Sequence, residues 1–168
     1  METLLEHILV STYKAGMISF MEAHPEAYDE AAALAVSDNQ PYSWRAAWLL
    51  WSCMKENDLR IKSHVNKFVK YIPYARNNQK RELLKMLLMM KLTDKQEGLL
   101  FDECIILWED ISMDPSIRIT ALKMLLKIAR KYPELSREIT LVTQGHYIST
   151  LSPGVKHSVN RLLKKLTY

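Results

Sequence analysis

The chain is 168 residues long, the length of one domain and enough to bury a core. Apolar residues at 48%, charged residues at 25% and a net charge of +4 are those of a water-compatible globular protein, and 4 Gly with 6 Pro are too few turn residues for a chain of many short strands. No run approaches the ~18 apolar residues of a membrane span. The longest apolar run near the start, Ile8-Leu9-Val10, follows acidic Glu2 and Glu6 rather than the basic start of a secretory signal. The expectation is therefore a cytoplasmic, all-α protein with no membrane partner.

Residues 2–23 hold one or two helices, with Leu4, Leu5, Ile8 and Leu9 on one side. Beyond them the chain repeats. Basic residues at Arg45, Arg81, Arg118 and Lys156 each stand near the start of a helix that follows a turn or cap cluster, at spacings of 36, 37 and 38. A period in the range of roughly 33–47 residues with room for two helices marks a helical repeat protein. The first helices of each pair, A, fall at about 25–36, 58–72, 95–110 and 133–145. The second, B, fall at about 43–55, 78–91, 115–131 and 153–167. Ile61, Val65, Phe68, Val69 and Ile72 form one apolar face of the second A helix, and Ile117, Ala121, Met124, Leu125 and Ile128 one face of the third B helix. Ser43, Asn77 or Asn78, Asp114 with Pro115, and Ser152 with Pro153 supply starts for the B helices. Residues 139–150 also suit a β-hairpin about Gln144-Gly145, but the repeat register favours a helix. Cys53 and Cys104 sit within helical apolar patterns and read as buried thiols in a reducing compartment.

The run from Pro41 to Arg45 and the run from Pro115 to Arg118, each with an apolar residue just before the arginine, resemble the helix entries of HEAT repeats. The resemblance covers residues 25–168. It implies an armadillo/HEAT-like fold, a right-handed α-α superhelix of about four to five stacked helix pairs. Residues 1–168 would then be a single α-solenoid domain, in which 1–24 are degenerate capping helices and 25–168 about four repeats of 36–38 residues. In such folds the B helices line the concave face.

The search for chemistry returns little. The histidines His7, His24, His64, His146 and His157 form no metal-binding spacing, and the chain has no phosphate loop and no nucleophile elbow. Asp102, Glu103, Glu109 and Asp110 read as a solvated helix face. No cofactor, no metal and no catalytic residue is expected. Trp44, Trp48 and Trp51, spaced by four and three, form one stripe on the first B helix. The apolar residues Ile117, Ala121 and Met124 stand at the matching positions of the third repeat, so the stripe reads first as core. The alternative is an aromatic platform for a base or a peptide.

Charge is the best functional clue. The four B helices carry net charges of +2, +3, +5 and +4, whereas the A helices total −5. Arg45, Arg81, Lys85, Arg118, Lys123, Lys156 and Arg161 are the candidate binding residues of a basic B-helix face. Such a face attracts anionic partners. Against this stands the reading that these cations only solubilise the helices, Lys127, Arg130, Lys131, Lys164 and Lys165 lying near helix C-termini. The expected function is a non-catalytic binding module or scaffold for a protein or peptide partner. Phosphate-backbone binding of nucleic acid is the alternative. A HEAT-like glycosylase acting on alkylated DNA is a remote third.

Overall fold

A computed structural model describes residues 1–166. The regular structure among the described residues is all helical, with no strand, and these residues pack into two compact units, 1–92 and 93–166.

In the first unit α1 (Leu4–Ser11) and α2 (Lys14–Ala23) form the leading pair. Thr3 starts α1 with a reciprocal cap: its hydroxyl accepts from the Glu6 amide and its own amide donates to the Glu6 carboxylate. Next come α3 (Ala27–Ala35) and α4 (Tyr42–Cys53), an A/B pair in close contact. The second A segment divides into α5 (Leu59–Lys62), α6 (Val65–Tyr71) and a 3-10 turn, Ile72–Tyr74. The backbone stays right-handed through Ser63 and His64, so the apolar register survives the breaks, and Ile61, Val65, Phe68, Val69 and Ile72 are all buried. The second B helix is α7 (Asn77–Leu88), which packs against α4. The loop between α4 and α5 is sewn to the end of α7 by the left-handed residue Asn57, φ 52°. Its amide donates to the Met89 carbonyl at 2.7 Å.

In the second unit α8 (Asp94–Glu109) and α9 (Pro115–Lys131) are a long A/B pair, with Asp114 capping α9 through the Ser116 amide. Ile117, Ala121, Met124, Leu125 and Ile128 are buried as the periodicity requires. A 3-10 turn, Pro133–Leu135, leads to α10 (Ser136–Val142) and the single turn α11 (Gly145–Ile148); α12 (Pro153–Leu163) and a 3-10 turn, Lys164–Leu166, follow. The hairpin alternative for 139–150 gives way to helix, which puts Ile139 and Val142, three residues apart, on one buried face. Thr140 and Thr143 turn their hydroxyls back onto the Ser136 and Ile139 carbonyls, four residues earlier, at 2.9 and 2.8 Å.

The expected B helices match α4, α7, α9 and α12 to within about three residues; the expected end at 167 lies outside the described residues. Two expected starts differ. Ser43 lies one residue inside α4, buried, its hydroxyl paired with that of Ser37 at 2.9 Å. In α7 the cap position belongs to Arg76, with Asn77 and Asn78 already helical.

Candidate functional site

Two of the periodic basic residues, Arg45 and Arg118, serve the fold first. The last carbonyls of an α-helix have no partner within it and carry the negative end of its dipole. Side chains from the first turn of the B helices supply donors to them. Arg45 Nη1 donates to the Leu9 carbonyl in the last turn of α1 at 2.7 Å. Gln79 does the same for α3, its Nε2 donating to Ala35 at 2.7 Å and to Ser37 at 3.0 Å. Arg118 Nε donates to the Trp108 carbonyl at the end of α8 at 2.9 Å, and its Nη2 to the Tyr147 carbonyl of α11.

Arg118 therefore departs from the expectation. It is 0% exposed, its guanidinium stacks 4.7 Å from the centre of the Trp108 ring, and burial draws its pKa below the usual arginine range. It offers no surface to a ligand. Lys80, a further basic residue of α7, is also buried. The remaining candidates of the second unit are outward: Lys123 and Arg161 are exposed and Lys156 half-buried.

The first unit brings its candidates together. Trp44, Trp48 and Trp51 run along one face of α4, and the reading of this stripe as core is corrected: all three are half-buried, while Ala46, Ala47, Leu49 and Leu50 beside them fill the interior. The fully buried indole is Trp108, whose Nε1 donates to the Val142 carbonyl at 2.7 Å. Each indole of the stripe carries a cation. The Arg45 guanidinium lies 5.2 Å from the Trp44 ring centre, Lys14 Nζ 5.7 Å from Trp48, and Lys85 Nζ 4.3 Å from Trp51, within the ~6 Å of an attractive cation–π contact. Beneath the α7 edge of this surface, Glu82 is a buried carboxylate, 1% exposed at its side chain. It is paired with Arg81 at 2.9 Å and Lys85 at 3.1 Å. One carboxylate against two cations leaves that edge with one net positive charge.

Two members of this surface escape sequence reasoning. Lys14 lies in the leading helix pair, outside the repeat that marks the other cations. Glu82 reads from the sequence as one charge subtracted from α7, and only its burial makes it an anchor for Arg81 and Lys85. Among the described residues no group of three His, Cys, Asp or Glu side chains could hold a metal ion, and no helix is long and apolar enough to cross a membrane.

A family model described as a HEAT repeat domain matches residues 2–166, so the leading helix pair lies within the match. No curated protein and no solved structure matches the chain.

Proposed function

The chain belongs to the HEAT repeat family, and from that premise we propose that it is a non-catalytic protein-interaction module whose tryptophan face on α4 takes an acidic, partly apolar segment of a partner protein. HEAT repeats serve generally as interaction scaffolds. The observation that carries the finer reading is the row of three half-buried indoles, each with a cation over its ring. Tryptophan and arginine are the side chains in which binding energy concentrates at protein interfaces. A carboxylate arriving beside an indole meets a cation already desolvated on one side by the ring. Two free cysteines, Cys53 and Cys104, suit a reducing compartment such as the cytoplasm.

The experiment is a fluorescence-polarisation titration of the protein with a labelled peptide of alternating glutamate and leucine, and in parallel with a short labelled DNA duplex, each at two salt concentrations. The reading requires the peptide to bind with modest salt dependence and Trp48→Ala or Trp51→Ala to weaken it by about tenfold or more. Duplex binding with a log–log salt slope near −0.9 per neutralised phosphate would replace the reading by nucleic-acid recognition. Failure to bind either ligand at low salt refutes both.

A further inference from the structure

A second surface lies within the unit of residues 93–168. The outer face of α8 presents Gly98 and Phe101, the end of α9 presents Ile128, and the following 3-10 turn presents Leu135; together they floor a groove of about 430 Å3. That volume is within the ~300–1,000 Å3 typical of ligand pockets. Phe101 and Ile128 are otherwise buried, so the groove reaches the apolar interior of the unit. Its rim is acidic. Asp94 belongs to a closed network, accepting from Lys131 Nζ at 2.7 Å and from the Tyr132 hydroxyl at 2.8 Å. Asp102, Glu134 and Glu138 also line the groove, and among the described residues no side chain pairs with their carboxylates.

Gly98 lies in the floor of the groove. A glycine inside a helix costs roughly 1 kcal/mol relative to alanine. It is normally retained for a left-handed backbone or a close approach. Gly98 has neither: its φ is not positive, and a Cβ built on it meets nothing within 4 Å. Its place in the floor leaves room there that a side chain larger than alanine would fill.

We propose that this groove binds a basic segment of a partner protein, seating one arginine or lysine side chain. Its methylene stem lies on Phe101, Ile128 and Leu135, and its cationic head lies among Asp102, Glu134 and Glu138. Long basic side chains are suited to this division, apolar along the stem and charged at the tip. Three unpaired carboxylates about an apolar floor offer no complement to an anionic or a purely apolar ligand. The site is separate from the tryptophan face and its opposite in charge preference.

The test uses the full chain, a labelled peptide of alternating leucine and arginine, and a matched leucine–glutamate peptide, by fluorescence polarisation at low salt. The arginine peptide is expected to bind. The glutamate peptide is expected to show no competition for the groove. Asp102→Asn combined with Glu138→Gln should weaken the arginine peptide by about tenfold, each lost charge contributing a fraction of that. Gly98→Leu should block it by filling the floor, while Gly98→Ala retains it, with circular dichroism confirming that both variants are folded. Trp48→Ala should leave this affinity unchanged. The proposal is overturned if the arginine peptide does not bind. It is equally overturned if folded Gly98→Leu binds within twofold of the parent, or if Trp48→Ala removes the binding. Should Gly98→Leu fail to fold, the doubly neutralised rim decides: affinity within twofold of the parent overturns the groove.

Discussion

Replacing Arg118 separates a structural cation from a ligand-binding one. Its guanidinium donates to the Trp108 and Tyr147 carbonyls and stacks on the Trp108 ring, with no solvent exposure. Arg118→Met keeps most of the stem and removes both donors. A buried carbonyl stripped of a charged donor costs about 1–3 kcal/mol, the full cost applying to Trp108 and less to the part-buried Tyr147 carbonyl. Removing a desolvated cation returns part of that, since its burial is itself unfavourable. The net expectation is a destabilisation of about 1–3 kcal/mol, which for a chain of this length lowers the melting temperature by about 2–4 °C per kcal/mol. Arg118→Lys should do at least as much damage. A single ammonium cannot reach both carbonyls with the geometry of the planar fork, and the desolvation cost remains. Urea unfolding followed by circular dichroism gives the numbers, and peptide titration of the same proteins gives the binding. If Arg118→Met unfolds at the parent's midpoint yet loses affinity for either peptide, then the side chain is a binding residue and does not hold the helix ends.

The remaining expectations concern burial and pH. Trp108→Ala should cost about 3–5 kcal/mol, the figure for a fully buried aromatic, whereas Trp48→Ala, being half-buried, should cost about half as much or less; equal losses in urea would contradict the assignment of Trp48 to the surface. Asp58 accepts from the Arg60 guanidinium at 2.6 and 3.0 Å and from the Lys55 and Arg60 amides, and these partners hold its carboxyl well below the usual range. A depressed folded-state pKa stabilises the fold above the unfolded value, near 3.9, and this contribution is lost as pH falls through the folded value. Stability should therefore drop from neutral pH to about pH 3, and Asp58→Asn should be less stable at neutral pH and less sensitive to acid; an identical pH slope in the variant would contradict this. Burial pushes the Cys104 thiol well above its usual pKa, so a thiol reagent should modify half-buried Cys53 first and reach Cys104 only on unfolding, as a timed titration would show.

Much of this architecture was legible in the sequence because it rests on periodicity. Arg45, Arg81, Arg118 and Lys156 marked the B helices, and the apolar faces of 61–72 and 117–128 are buried as read. The role of those markers was not legible. Near the start of a helix an arginine looks the same whether it points to solvent or turns onto a neighbouring helix's final carbonyls, and Arg118 does the second. The tryptophans failed for a related reason. Alignment with Ile117, Ala121 and Met124 placed them in the core, but the three indoles are only part-buried, with a cation against each ring. Of the groove on α8 the sequence showed Asp102 only as part of a carboxylate cluster on a solvated helix face, because Glu134, Glu138 and Leu135 reach it from a later segment that spacing does not place there.

The pairing of Glu82 bears on how the tryptophan face responds to covalent modification. Lys85 serves two neighbours at once, the Trp51 ring above and the Glu82 carboxylate below. An acetyl group on its amine would remove the charge from both. The buried carboxylate would keep its contact with Arg81 but lose one of its two cationic partners, in a place where water does not make up the difference. Acetylation at this residue thus lowers the stability of α7 as well as changing what its edge can attract, so the two effects would travel together rather than being set independently.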